Sequence, residues 1–153
     1  MFHQRACSST APKILDSGDS SSSVDIHHVG QLVDAEFESA VEFYRDTLGL
    51  PLRETTDGFV RVAFFELPSA EFHLIVREER GSPADELLDT IGRRSTAHVA
   101  FEAADLATAM ADAADAGLQF VGDPPEDGLG PYRRAFVAPD GHVGVPFEFV
   151  ASA

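Results

Sequence analysis

The 153-residue chain has one cysteine, Cys7, and no tryptophan. A lone thiol excludes a disulfide framework and any multi-cysteine zinc or iron–sulfur site. No apolar run approaches the ~18 residues that a membrane span needs, so no membrane partner is expected. The N-terminus lacks the basic-then-apolar plan of a secretion signal, and the expected location is the cytoplasm. Lysine is nearly missing as well. Lys13 is the single one, and Lys and Arg together number 11 against 26 Asp and Glu, for a net charge of −15. So acidic a surface repels phosphate backbones, which excludes nucleic acid as an expected partner.

What the chain does have is core material: 44% of its residues are hydrophobic and 12 are Phe. A chain of this size buries about 68–70% of its unfolded surface, enough for one domain without staples. Acidity spread over a well-patterned chain with almost no lysine resembles proteins of salt-accumulating archaea or bacteria. Self-repulsion among these charges is screened over about 10 Å at 0.1 M salt and about 3 Å at 1 M. The melting temperature is therefore expected to rise from low salt to molar KCl, and a flat curve would remove the halophile reading.

Residues 1–23 hold seven Ser and little periodicity, which predicts a flexible tail outside the fold. Residues 24–153 read as a single domain. Module one, 24–77, opens with the strand candidate VDIHHVGQLV. A helix follows, with Asp34 as cap and Phe37, Ala40, Val41, Tyr44 and Leu48 at helical spacing up to Gly49. Strand candidates at 50–55, 59–67 and 71–77 complete a β-α-β-β-β unit. A linker helix is predicted over 82–92, with Ser82 as cap, Pro83 at the first position and an apolar side of Leu87, Leu88 and Ile91. Module two, 96–150, repeats the plan: a strand at 96–102, a helix capped by Asp105, then strands at 118–121, 132–137 and 145–150. The Pro- and Gly-rich loop at 122–130 is predicted irregular. The expected fold is α+β, two tandem β-α-β-β-β modules forming one curled mixed sheet with a metal-binding cleft and the helices outside.

Laid over one another, the repeats align chemistry as well as structure. His28 and His98 hold the same place in their first strands, and His73 in EFHLIV matches Glu148 in PFEFV. Each alone is ordinarily a satisfied core or surface residue. Glu148, between Phe147 and Phe149, also suits the exposed position of an alternating edge strand. Four metal-capable side chains at two pairs of equivalent positions instead converge on one point if the modules pack about a pseudo-two-fold axis. Three imidazoles and a carboxylate suit one divalent ion of Zn, Ni, Co, Mn or Fe. His27 is predicted to face away from His28, and His142 lies in the turn PDGHVG; both read as surface residues. Arg133 and Arg134 are either solvated positions or a meeting point for an anionic substrate group.

The span Val24–Val150 resembles the vicinal-oxygen-chelate superfamily, which includes glyoxalase I, methylmalonyl-CoA epimerase, extradiol dioxygenases and the fosfomycin- and bleomycin-resistance proteins. IHHVGQLVD, FYRDTLGL, EFHLIV, AHVAFEA and GVPFEFV carry the resemblance, and the loop lengths are most like those of methylmalonyl-CoA epimerase. The resemblance implies metal ligation by His28, His73, His98 and Glu148, and a homodimer. Two departures stand out. His73 occupies a place where glyoxalases and epimerases usually carry Glu or Gln, and Ala138-Pro139-Asp140 replaces their typical HPK.

The function this implies is metal-dependent proton transfer at the carbon next to a carbonyl or thioester of a small-molecule substrate, of the lactoylglutathione-lyase or methylmalonyl-CoA-epimerase type. Glu148 would serve as catalytic base and ligand. Epimerisation calls for a second base across the substrate, and Arg61 and Glu54 lie on strands near that side. One alternative is an iron-dependent ring-cleaving or other dioxygenase, with two His and Glu148 as ligands and His73 outside the ligand set. Another is a non-catalytic small-molecule-binding protein of the resistance type.

Overall fold

The computed structural model describes residues 14, 15, 24–94, 96–142 and 144–152. The predicted tail falls outside the described residues, apart from Ile14 and Leu15. These two pack against the cluster built on Ala103, Leu106 and Phe149.

Module one contains β1 (Ile26–Leu32), α1 (Phe37–Glu42, continuing as a π-helical turn through Phe43–Thr47), β2 (Leu52–Thr55), β3 (Val60–Glu66) and β4 (Glu71–Arg77). After α2 (Asp85–Arg94), module two contains β5 (Ala97–Glu102), α3 (Leu106–Asp115), β6 (Glu126–Asp127), β7 (Tyr132–Phe136) and β8 (Phe147–Ser152). The strands form one mixed, curled half-barrel in the order β2-β3-β4-β1-β5-β8-β7-β6. That order is a palindrome of the two modules, with β1 and β5 at the centre.

Register makes the repeat exact to the residue. Across the antiparallel seam Gly30 faces His98, Val29 faces Val99 and His28 faces Ala100. Gly30 pairs with His73 on β4, while Ala100 pairs with Glu148 on β8. His28 and His98, Gly30 and Ala100, His73 and Glu148 are thus related by a pseudo-two-fold axis through the Val29–Val99 pair.

The middles of β3, β4 and β8 bury both faces, so these strands read as largely apolar runs. Ala63, Phe65, Leu74 and Val76 point outward onto Phe37 and Val41 of α1. Ala135, Val137 and Phe149 point outward onto Leu106, Ala109 and Ala113 of α3. On the inner face Val62, Phe64 and Ile75 meet Leu88, and Phe136 meets Leu87 and Ile91. The expectation that every helix lies outside therefore fails for α2. Its apolar side, formed by Leu87, Leu88 and Ile91, has no other surface on which to be buried, and it sits in the concavity of the sheet.

Three local expectations also change. The cap of α1 is Glu36, whose carboxylate accepts from the backbone N–H of Glu38 and Ser39 at 3.1 and 2.9 Å. Asp34 is two residues too early to bring Phe37 under the sheet. Asp105 caps α3 as predicted, accepting from Thr108 N–H at 3.2 Å. The strand predicted at 118–121 is reduced to a bridge between Phe120 and Val137. Gly122, at φ +70°, turns the chain away, and pairing resumes as β6 inside the loop expected to be irregular.

Candidate metal centre

Strand alternation and the curl of the sheet bring the inner-face side chains together under α2. His28, His73, His98 and Glu148 are 0, 1, 4 and 1% exposed. Single ligand atoms of His28, His98 and Glu148 all lie within 4.8 Å of one another. His28 Nε2 is 3.1 Å from Glu148 Oε1, and His98 Nε2 is 3.6 Å from the same oxygen. His73 is close but turned aside. Its ring stacks on that of His28, centroids 3.9 Å apart and planes 18° from parallel. Its Nε2 lies 3.3 Å from Glu71 Oε1, away from the other three.

The charge state follows from burial. Desolvation lowers the pKa of His28 below its usual 6.5, outweighing the raising effect of Glu148. Desolvation, reinforced by the neighbouring imidazoles, pushes His73 down to about 2. Burial alone would raise Glu148, yet its contacts with His28 and His98 hold it below the usual carboxylate value. The Glu148 carboxylate thus stands beside His28 and His73 rings that burial keeps neutral, and a metal ion requires an ionised carboxylate and neutral imidazoles of its ligands.

A second observation tests the fit of an ion. His98 Nδ1 is buried without a hydrogen-bond partner, and His28 Nε2, for all its closeness to Glu148 Oε1, makes no well-aligned bond, a costly state in a dry interior. Two imidazoles and a carboxylate with unused lone pairs make a donor set for Zn, Mn, Fe, Co or Ni. The residues present fit a divalent ion.

His27 is the site residue that alternation misplaces. A bulge between Ile26 and His28, where β1 advances two residues against one on β5, breaks the period at His27. Its ring turns in beside His28 and Tyr132, 5.0 and 5.1 Å between centroids. Its Nδ1 is 2.8 Å from His28 Nδ1. With the proton on His28 Nδ1 donated to His27, the Nε2 lone pair of His28 faces the centre. No period-based reading finds this residue; the adjacent His-His pair was the available signal.

His142 is half-buried against Phe147, 4.5 Å between rings, and stands apart from the cluster. Neither expected partner base reaches the centre. Arg61 is on the outer face over the Phe37 ring with Glu38 and Asp57, and Glu54 is exposed beside Arg53. Tyr132, which was not expected there, lines the central cavity, and so does Arg134, one of the two arginines read either as solvated or as a meeting point for an anionic group. Burial, then the Glu148 charge, raises the pKa of the Tyr132 phenol. The cavity, closed by Leu87, Leu88, Ile91 and Leu129, holds about 10 Å³, space for one ion or water.

The sequence model of the Glyoxalase/Bleomycin resistance protein/Dioxygenase superfamily matches residues 25–144. The chain belongs to that superfamily. Solved structures place this superfamily member beside three proteins in particular. A hypothetical protein from Bacillus halodurans C-125 superposes with a TM-score of 0.72 at 24% identity, over 86% of this chain and 96% of its own. The methylmalonyl-CoA epimerase of Mycobacterium tuberculosis gives a TM-score of 0.69 at 25% identity, over 84% and 88%. A variant of the Streptomyces coelicolor methylmalonyl-CoA epimerase, solved with 2-nitronate-propionyl-CoA, gives 0.70 at 28%, over 86% and 99%. A search of curated protein sequences finds no match. Among the described residues no helix is long and apolar enough to cross a membrane.

Proposed function

We propose that this superfamily member is a metal-dependent enzyme that moves a proton at the carbon next to a carbonyl or thioester. The observation that carries the proposal is the buried convergence of His28, His98 and Glu148 with imidazole nitrogens that lack well-aligned partners. These three residues would hold a divalent ion, and the ion when bound would make the neighbouring α-proton more acidic by polarising the carbonyl. Glu148 takes and returns that proton, its carboxylate kept ionised by the two imidazoles. The hydrophobic roof of α2 and Leu129 excludes water. Tyr132, held neutral, donates to a developing oxyanion.

Epimerase neighbours, one solved with methylmalonyl-CoA, support an isomerase-type activity. Among the described residues, however, Glu148 is the single carboxylate lining the cavity. That favours a proton shuttled by one base, as in a lyase or keto–enol isomerase, over two-base epimerisation. Cytoplasmic placement and a homodimer accompany this reading, and sedimentation as a monomer at all salt concentrations would count against the dimer.

One observation favours a second reading. With His73 turned aside, the three convergent groups are a two-His-one-carboxylate set of the kind that serves non-haem iron oxygenases. Metal analysis of the purified protein, with assays on hemithioacetals, methylmalonyl-CoA and catechols, separates the two. Proton exchange with Zn, Ni, Co or Mn supports the first. Iron with oxygen consumption supports the second, and full activity of metal-free protein overturns both.

A further inference from the structure

In a chain with 26 acidic residues the arginines are mostly saturated. Arg61 has Glu38, Asp57 and Glu78 within 4.0 Å, and Arg77 has Asp85 and Asp89 at 3.4 and 2.8 Å. Arg134 differs. Its side chain is 9% exposed, its nearest carboxylate oxygen, on Glu126, is 3.7 Å away, and its Nε donates to the Asp127 carbonyl at 3.1 Å. Those contacts engage a small part of a guanidinium that carries five N–H donors. A desolvated, under-paired cation is costly, and near a reaction centre it marks a place for a missing anion.

The position is specific. Arg134 lies on β7 two residues from Phe136, which pairs with Glu148, so it shares the inner face about 7 Å along the strand from the candidate base. It also lines three spaces at once. These are the central cavity, a small polar cavity of about 50 Å³ beside Pro83 and Glu86, and an outer groove of about 580 Å³ bordered by Asp57, Phe59 and Leu129. Among the described residues it is the sole arginine or lysine lining any of them, and with Leu129 it stands where the groove adjoins the centre.

We propose that Arg134 anchors a carboxylate of the substrate, so that the substrate is a small carbonyl compound bearing an acid group one or two carbons from the reacting centre. The planar fork takes a carboxylate in a bidentate pair, and the cavity of about 50 Å³ beside it, also lined by Glu86 and Glu126, favours that compact group over a bulkier tetrahedral anion. This rests on the proposed carbonyl chemistry for the substrate class, but not for the anion site itself.

The test uses succinate and its neutral diamide, succinamide, titrated calorimetrically into the full-length protein with and without zinc. Wild type is expected to bind succinate at least tenfold more tightly than succinamide. Arg134→Gln, which keeps a donor for the Asp127 carbonyl, is expected to lose that preference, and Arg134→Lys to keep part of it. Zinc affinity should be unchanged in both variants. Equal binding of succinate and succinamide by wild type, or wild-type succinate affinity in Arg134→Gln, overturns the anchor and leaves Arg134 as a brace for the loop. Should zinc not be retained, the metal reading fails while the metal-free titration still decides the anchor. Should Arg134→Gln fail to fold, the wild-type preference and the lysine variant decide it.

Discussion

In module one Gly30 stands beside His73 on the neighbouring strand; in module two Ala100 stands beside Glu148 in the matching place. Across the next strand each again has a counterpart, Phe64 opposite His73 and Phe136 opposite Glu148. Backbone and packing are duplicated, yet the polar groups behave differently. Glu148 carries a charge that two imidazoles can share, and it reaches both. His73, neutral in its dry surroundings, gains more from stacking on His28 and from its contact with Glu71. Symmetry supplies four equivalent places, and charge decides which of them converge.

The largest effects should come from the convergent residues. His28→Ala or His98→Ala is expected to weaken metal retention beyond the ~10–100-fold typical of losing an outer partner, read by metal analysis after dialysis. Glu148→Gln should retain part of the metal while proton transfer falls about 10²–10⁴-fold. His73→Ala, at the matching place in module one, should keep the metal and change rate alone. Loss of the ion in that variant would restore the four-ligand set expected from the repeat and erase the contrast between His73 and Glu148.

A smaller effect separates Gly30 from Ala100. A side chain at 30 would run into the imidazole of His98, whereas the equivalent position already carries a methyl group opposite His28. Gly30→Ala should cost about 1–3 kcal/mol through overpacking and displace His98, seen as a shifted imidazole resonance. Ala100→Gly should cost about 0.5–1 kcal/mol through backbone freedom. Equal costs would mean that the two places are interchangeable after all.

The smallest effect concerns α2, which has no counterpart in either module. Hydrogen bonds from Arg80, then Arg77, lower the Asp89 carboxyl from 3.8 to about 2. A depressed acid contributes stability that is complete above its unfolded value near 4 and lost as pH falls through its folded value. Asp89→Asn should therefore melt slightly below wild type at neutral pH, with the gap closing between about pH 4 and pH 2. A gap that is constant over that range would show that the arginine clamp does not act through charge.

The repeat, the family and the inner-face positions of His28, His73, His98 and Glu148 were all legible in the sequence, because apolar period and internal repetition survive without coordinates. What escaped it depended on breaks in period or on choices made in three dimensions. His27 turns inward at a bulge that alternation cannot foresee. The strand expected at 118–121 shrinks to a bridge because the positive φ of Gly122 turns the chain away. The apolar stripe of α2 was visible, but nothing local says whether such a stripe is buried outside a sheet or within its curl. Arg134 read equally well as solvated, since its burial arises from β6, a strand the loop composition argued against.

The seam between β1 and β5 has a further consequence. The modules join through one strand ladder, through α2 and Leu129 packed across the curl, and through one covalent passage, residues 78–96, so the molecule amounts to a tethered pair. Severed within 78–84, each piece would present a bare strand edge, β1 or β5, of the kind that seeks a partner. The two pieces should recognise each other by fragment complementation, and metal capture would report their reunion. A lone first piece has another choice. Because Val29 lies on the rotation axis, it can pair β1 with β1 of a second copy, bringing two His28 residues to the seam where a His28 and a His98 now stand.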